Sequence, residues 1–485
     1  VTQQPVDYSR KWYVMAAIAM GVLLSTIDGS IVNVALPTLV TAFDTNFAVV
    51  QWVVLVYLLT VTVLMLGMGR LGDMVGKKPL YAAGVIVFTV GSGLCGLAPT
   101  VYWLIASRVL QAVGASAIMA LGTAIITEAF PPAERGKALG IGGTIVSIGI
   151  ISGPVLGGLI LNALSWHWIF FVNLPVGVVG FFMVLRFVPD IRPAGRQLFD
   201  FLGAGALCIS LLALLLGLTF GQRIGFGDVR TLTLFVAFLG FLAVFVSIES
   251  NSTHPMLELK LFRNHLFSVN LITGFISFIS IAGTVILIPF YLQNVLGYGP
   301  ERIGLLMGIV PIAMGVTAPI AGWLSDRFGP RPIIVIGLLV TGIGYYAAST
   351  LTPDTTMPGF MLRFLPIGIG LGVFNAPNNS AIMGSVPRAR LGIGSGLLAI
   401  TRTLGQTVGI AVLGALWATR VAYYAGGTLD GEVTNAAATT QVTALSDTYL
   451  ITIILIAIAL ALAVWGLIQE RRGVTGPAVQ SEVTA

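Results

Sequence analysis

Charge is what this chain has least of. Only 9% of its 485 residues are Asp, Glu, Lys or Arg, against roughly a quarter in an ordinary soluble domain. A soluble enzyme of this length would need a far more polar surface, so that class is excluded. Three histidines leave little room for a His-based metal centre. The two cysteines, Cys95 and Cys208, both sit in apolar runs, which indicates neither a disulfide scaffold nor a thiolate metal site. No Gly-x-x-x-x-Gly-Lys-Ser/Thr loop occurs, so ATP is not a direct energy source. No cofactor is called for. Disorder is excluded as well, because 56% of the residues are hydrophobic. A formal charge of +6 requires no nucleic-acid partner, since its placement along the chain explains it.

What is present is apolar sequence in spans. With a mean hydropathy of +0.96, the composition is that of an all-α polytopic membrane protein. Stretches of membrane-crossing length are expected at 13–36, 49–69, 79–97, 101–126, 138–160, 168–188, 201–220, 230–249, 267–292, 303–323, 332–350, 358–384, 396–423 and 447–469, fourteen in all. The first holds Asp28 and does not read as a cleaved leader. With the N-terminus inside, 18 of the 25 basic residues fall in cytoplasmic segments and 4 in outer ones. That bias places both termini in the cytoplasm.

The chain repeats itself. Gly69-Arg-Leu-Gly-Asp73-Met-Val-Gly76-Lys77-Lys78-Pro79 recurs as Gly322-Trp-Leu-Ser-Asp326-Arg327-Phe-Gly329-Pro-Arg331-Pro332, 253 residues on. Arg108 and Arg363 lie 255 apart, and Gly149/Gly153 and Gly405/Gly409 lie 256 apart. A near-constant offset indicates duplication. The expected domains are a six-helix bundle over 1–195, a two-helix linker insertion over 196–262, a second six-helix bundle over 263–472 and a cytoplasmic tail over 473–485.

These motifs resemble those of the major facilitator superfamily, in particular its fourteen-span drug:proton antiporter branch. The first loop matches the superfamily signature at Gly69, Leu71, Asp73, Gly76, Lys77 and Lys78. Leu104-x-x-x-Arg108-x-x-Gln111-x-x-Gly114 matches its basic motif. Gly149-x-x-x-Gly153-Pro154-x-x-Gly157-Gly158 matches its antiporter motif. Asp28-Gly-Ser-Ile-Val-Asn33-Val-Ala-Leu-Pro37 and Trp166-His-Trp168-Ile-Phe-Phe-Val-Asn173-Leu-Pro175 are similar to two further runs of the branch, with Ser30 for Thr and His167 for Arg as departures. The resemblance implies two six-helix bundles plus an accessory pair in a bacterial inner membrane. It also implies a monomeric secondary exporter, not an enzyme, that exchanges a small amphiphilic or lipid-like substrate for protons among membrane lipids.

Residue chemistry assigns the parts. Asp28 lies about 24 Å into the first span, where a carboxylate is expensive unless it meets a partner or a cavity. The resemblance implies that it is the proton-coupling group, with Arg108 and Gln111 as partners. Gly69, Asp73, Gly76, Lys77, Lys78, Asp326 and Arg327 are expected to form a conformational latch. Gly149, Gly153, Pro154, Gly157 and Gly158 offer a close-packing seam with a proline-loosened turn. Asn33, Trp52, Tyr57, Phe290, Tyr291, Arg363, Asn375, Asn378 and Asn379 are expected to line the substrate cavity, the last three around Pro377 in a discontinuous turn. Glu128 and Glu249 read as surface or interfacial charges. Because Asp28 is the one deep acid, a neutral, monocationic or lipid-like substrate is favoured over a dication. A lipid or fatty-acid exporter is the alternative transporter. A scaffold or sensor lacks the soluble domain it would need, and no Ser/His/Asp arrangement supports a membrane enzyme.

Overall fold

The structure is a computed structural model of the chain and describes residues 8–131, 134–190, 201–225, 227–251, 262–386, 391–426 and 433–471. It is helical throughout these segments. In the first half, α1 (Lys11–Ala42), α2 (Phe47–Val75), α3 (Lys77–Gly96), α4 (Val101–Ala129) and α5 (Arg135–Ala163) lead into a short α6 (Trp168–Phe171) and α7 (Asn173–Phe187). Then come α8 (Phe201–Ile224), α9 (Val229–Asn251), α10 (His265–Phe290), α11 (Pro300–Met307) and α12 (Ile309–Phe328). The chain continues through α13 (Pro330–Ser349), α14 (Met357–Gly384), α15 (Leu391–Tyr424) and α16 (Ala438–Arg471).

Local chemistry sets the helix ends. The Asn46 and Thr100 side chains accept hydrogen bonds from Val49 N at 3.0 Å and Trp103 N at 3.2 Å, starting α2 and α4. Gly76 at φ +109° alone separates α2 from α3, and Gly329 at φ +84° alone separates α12 from α13. Only glycine takes such angles without strain. The repeated loop motif is thus a one-residue break, made the same way twice.

The expected fourteen spans are corrected to twelve. Among the described residues, twelve helices are long and apolar enough to cross a membrane. The expected spans at 138–160 and 201–220 are the two not among these twelve; within α5 and α8 the described apolar stretches are Ile148–Ala163 and Leu202–Leu218. A hydrocarbon core of about 30 Å needs roughly 20 residues. The all-α polytopic fold stands, with twelve spans among the described residues in place of fourteen. Nor is α14 discontinuous: it runs unbroken through Pro366 and Pro377.

Two compact units are formed. The first comprises Val1–Met256, Val285–Gly308 and Leu429–Ala436; the second comprises Leu257–Thr284, Ile309–Thr428 and Ala437–Ala485. Within the first, α1 packs on α5 and α7, α3 on α4, and α8 on α9. Within the second, α13 packs on α14 and α16, and α12 on α14.

Candidate functional site

A buried polar cluster sits inside the first unit. Asp28 on α1 accepts three hydrogen bonds. Arg108 Nη1 donates to its Oδ2. Gln111 Nε2 donates to Oδ1 at 2.8 Å and Asn173 Nδ2 to the same atom at 3.1 Å. Arg108 also donates through Nε to the Val53 carbonyl at 3.0 Å and through Nη1 to Gln111 Oε1 at 2.7 Å. Its guanidinium lies 4.1 Å from the Tyr57 ring centroid, a cation–π contact. Ser92 Oγ accepts from Gln111 at 3.1 Å and from Asn173 at 2.9 Å, and donates to the Phe170 carbonyl at 3.0 Å. Asp28, Arg108, Gln111 and Ser92 are all 0% exposed.

Such a pair persists in an apolar interior only because its valences are filled. An ionised carboxylate without partners would be strongly disfavoured there, as would an unpaired guanidinium. Besides the carboxylate, Arg108 keeps Gln111 Oε1 and the Val53 carbonyl as acceptors.

Close helix packing makes the cluster possible. A Cβ on Gly91 would stand 2.6 Å from Gln111 Cα, and one on Gly114 would stand 2.3 Å from Phe88 N. These glycines bring α3 and α4 into backbone contact, so that the short Ser92 side chain reaches Gln111. On the opposite side of α1, a Cβ on Gly149 would meet Thr26 Oγ1 at 1.9 Å, and one on Gly153 would meet Ser30 Oγ at 1.8 Å. Gly157 lies against Ile31, while Gly158 faces the Pro300 carbonyl, 2.6 Å from where a Cβ would stand. The glycine motif of α5 is therefore a double seam, to α1 and to α11, with Pro154 buried between. Helix α1 is clasped between this seam and the cluster.

The second unit repeats the packing without the chemistry. A Cβ on Gly344 would lie 2.6 Å from Ile367 N, as one on Gly91 would lie 2.7 Å from Gln111 N. Ile367 therefore occupies the place of Gln111, and Phe364 that of Arg108. The pairing of Arg108 with Arg363 suggested by motif spacing is displaced by one residue. Arg363 is partly exposed and bonds Thr350 Oγ1 at 3.0 Å and the Gly359 carbonyl at 2.9 Å, at the start of α14. Phe364 instead stacks on Phe360 at 4.2 Å, and its ring centroid lies 6.4 Å from that of Tyr449.

The remaining expected residues fall in several places. Lys77 pairs with Glu128 at 2.6 Å, which gives that surface acid a specific partner between α3 and α4. Lys11 pairs with Glu134 at 2.5 Å. Gly69 has open space around it, and Lys78 is partly buried. The side chains of Asp73 and Asp326 lie outside the described residues. Arg327 is exposed over the Trp323 and Phe328 rings at 5.9 and 5.4 Å. Asn33 is buried and donates to the Gly29 and Ser30 carbonyls at 3.3 Å. Trp52 is partly buried, and Tyr57 donates to the Ser25 carbonyl at 3.1 Å. Phe290 packs edge-on to Phe47 at 4.9 Å, and buried Tyr291 opens a π-helical turn, Tyr291–Val295. Asn378 is buried, Asn375 partly buried and Asn379 exposed. Glu249, expected at the interface, is 3% exposed.

Ser92 was not among the expected site residues, and Asn173 entered only as part of a motif run. No spacing rule links a serine on α3 to an asparagine opening α7. The glycines at 84 and 91, seven apart on one helix face, were the available sign that α3 lies close enough to α4 for small polar groups to matter.

The profile of the Major Facilitator Superfamily matches residues 18–410 and 271–478. The riboflavin transporter RibZ of Clostridioides difficile is 37% identical over 417 residues, covering 85% of this chain and 90% of that protein. The multidrug resistance protein Stp of Mycobacterium tuberculosis is 34% identical over 407 residues, covering 83% and 75%. The fold is similar to that of an inward-facing, unoccupied bacterial homologue of the human lysosomal transporter Spinster. The TM-score there is 0.67 at 19% identity, over 98% of this chain and 100% of the other. The resemblance to a fourteen-span branch is corrected by the twelve spans, while the superfamily and its multidrug-type members remain the relatives. On this profile, these relatives and this fold, the chain is a secondary transporter rather than an enzyme and belongs to the Major Facilitator Superfamily.

Proposed function

We propose that this transporter is a proton-coupled exporter. A small amphiphilic or hydrophobic molecule leaves the cytoplasm or inner leaflet of a bacterial inner membrane as a proton enters. The protein acts as a monomer with both termini cytoplasmic. The observation that carries the reading is Asp28, a carboxylate with no exposure whose three hydrogen-bond donors include a permanently charged arginine. Relatives named for riboflavin and for multidrug resistance support a small organic cargo.

In this scheme protonation of Asp28 neutralises one member of the pair and frees α1 to shift between its seam on α5 and its contacts on α4. The magnitudes are commensurate. A proton moving inward releases about 2.3 kcal/mol per 100 mV and about 1.4 kcal/mol per pH unit. Breaking a buried ion pair from one side costs about 3–5 kcal/mol. The repeated halves, 1–195 and 263–472, would then exchange between facing states, with 196–262 connecting them. Asp73 and Asp326 would act with Gly69, Gly76, Lys77, Lys78 and Arg327 as state-specific latches.

The test uses purified protein in liposomes with an imposed pH gradient and a panel of neutral, cationic, anionic and lipid-like compounds. Substrate movement should become concentrative only with the gradient. Equal rates with and without it would overturn the coupling.

A further inference from the structure

Among the described residues, every side chain bonded to the Asp28 carboxylate is a donor. Arg108 of α4 meets Oδ2. The amide nitrogens of Gln111, also of α4, and of Asn173 of α7 meet Oδ1 at 2.8 and 3.1 Å. Ser92 Oγ of α3 takes the second hydrogen of each amide, at 3.1 and 2.9 Å, and directs its own proton to the Phe170 carbonyl at 3.0 Å. Two other titratable groups face the cluster, and neither points at the carboxylate. Tyr57 of α2 donates to the Ser25 carbonyl at 3.1 Å, and Cys95 Sγ of α3 lies 3.6 Å from Gln111 Oε1. From α5, α1 meets the uncharged Gly149 and Gly153. The closed ring of donors suits an ionised carboxylate, which only accepts.

A proton on Asp28 makes one of its oxygens a donor, and no acceptor stands beside it. On Oδ1 the new O–H would face two NH2 groups, and on Oδ2 it would face a guanidinium. Inverting one amide supplies the missing acceptor. Gln111 is held, because its Oε1 accepts from Arg108 Nη1 at 2.7 Å, and inversion would turn its NH2 toward a permanent cation. Asn173 is not held in this way. Among the described residues no side chain donates to its Oδ1, and its nitrogen makes both of its hydrogen bonds. Inversion sets Oδ1 in the present place of Nδ2, within reach of Asp28 Oδ1 and Ser92 Oγ. The Ser92 proton then has to swing from the Phe170 carbonyl to Asn173, since two oxygens would otherwise face each other.

These two side chains sit at a joint. Phe170 belongs to α6 and Asn173 opens α7, with Val172 alone between the helices. Pro175 has no N–H to offer the Phe171 carbonyl four residues back, so the joint lacks one helical bond. Helix α7 packs on both α3 and α1. A Cβ on Gly177 would stand 2.1 Å from Thr89 Oγ1, and one on Gly180 would stand 3.5 Å from Met20 Cβ. A change of partners at Ser92 and Asn173 therefore acts on the α6–α7 joint and on two helices packed against it.

We propose that Asn173 and Ser92 are positioning residues that report the protonation of Asp28 to the α6–α7 joint. Amide inversion at Asn173 and a hydroxyl swing at Ser92 exchange the tie from Ser92 to the Phe170 carbonyl for one from protonated Asp28 to Asn173. The proton itself stays on Asp28. The relay rests on the proton-coupled reading above and names the first structural response to the proton, at α7 rather than within the Asp28–Arg108 pair alone.

The test is pH-difference infrared spectroscopy on the full chain in nanodiscs, with neither substrate nor gradient. A carboxyl C=O stretch that appears on acidification and is absent from Asp28→Asn belongs to Asp28. Asn173→Leu removes the amide at similar size and should move that band to higher wavenumber, the direction of a carboxyl group that has lost its acceptor. Gln111→Leu should move it far less. If Asn173→Leu does not fold, unmutated protein with asparagine isotope-labelled at the side-chain carbonyl carbon carries the test. An isotope-sensitive amide band should enter the difference spectrum together with the carboxyl band and be absent from Asp28→Asn. In Ser92→Ala that amide band should lie at higher wavenumber, because the inverted carbonyl has one donor in place of two. A fixed donor at Asn173 would instead leave the carboxyl band in place in Asn173→Leu and raise its pH midpoint by about one unit or more, the size of a hydrogen bond to a charged group. That result, a shift with Gln111→Leu alone, or no isotope-sensitive asparagine band would overturn the relay and leave proton coupling standing. Absence of any Asp28-dependent carboxyl band would overturn both.

Discussion

Replacing Gly153 with alanine should prise α1 from α5. The new Cβ would stand 1.8 Å from Ser30 Oγ, 2.8 Å from Ser30 Cβ and 3.0 Å from Ile31 N. The hydroxyl can rotate away. The Ser30 Cβ and the Ile31 amide cannot, so α1 must retreat by about half an ångström or more to restore ordinary contact. Overpacking of this kind costs about 1–3 kcal/mol, and alanine returns up to about 1 kcal/mol through lower backbone entropy in the unfolded chain. Gly205→Ala on α8 supplies the control, because nothing among the described residues lies within 4 Å of its would-be Cβ. That variant should gain stability by about 0.5–1 kcal/mol. The difference between the two variants isolates the seam, since backbone entropy is common to both. Thermal unfolding in detergent at one scan rate should rank Gly205→Ala at or above the unmodified protein and Gly153→Ala below it. Because Asp28 rides on the displaced helix, turnover by Gly153→Ala should fall as well. Equal melting temperatures for the two variants would refute the packing argument.

Other expectations follow from the same geometry. Asp28→Asn and Arg108→Gln should each destabilise by about 3–5 kcal/mol. The double variant should lose clearly less than their sum, by about 2 kcal/mol or more; additive losses in a double-mutant cycle would show that the pair is not coupled. Lys77→Ala should cost at most about 1 kcal/mol, because Lys77 and Glu128 are partly exposed at their 2.6 Å contact. A larger loss of melting temperature would require another role for that lysine. Arg363→Gln, which among the described residues removes contacts to Thr350 at the end of α13 and Gly359 at the start of α14, should leave transport within about twofold, on the ordinary scale of a surface substitution. Abolished transport would return Arg363 to the site.

Sequence reading reached much of this molecule because membrane burial leaves strong marks. Long apolar runs, the twice-used glycine breaks at 76 and 329, and Asp28, Arg108 and Gln111 as the sparse polar groups of their spans were all legible. The count of spans was not. The glycine-rich α5 and the apolar run of α8 carry enough hydrophobicity to suggest a crossing, while among the described residues their apolar stretches reach only Ile148–Ala163 and Leu202–Leu218. The pairing of repeats was misjudged by a single residue because arginine was matched to arginine. The backbone contacts of Gly91 and Gly344 match Gln111 to Ile367 instead, and one residue turns a helix by about 100°. The asymmetry between halves follows from that correction: the place of the polar cluster is filled with Phe364 and Ile367 in the second unit. Ser92 and Asn173 join the cluster through tertiary packing alone.

The central claim is that the Asp28 cluster couples protons to substrate, and the most direct measurement counts both in the same vesicles. Proteoliposomes holding matched amounts of folded unmodified protein and Asp28→Asn would be loaded with a pH-sensitive dye and given an exported compound. Unmodified protein should move protons and substrate in a fixed ratio, in opposite directions. Asp28→Asn should lose the coupled proton flux and the gradient-driven accumulation, and retain at most downhill exchange. An unchanged proton-to-substrate ratio in Asp28→Asn would contradict the assignment.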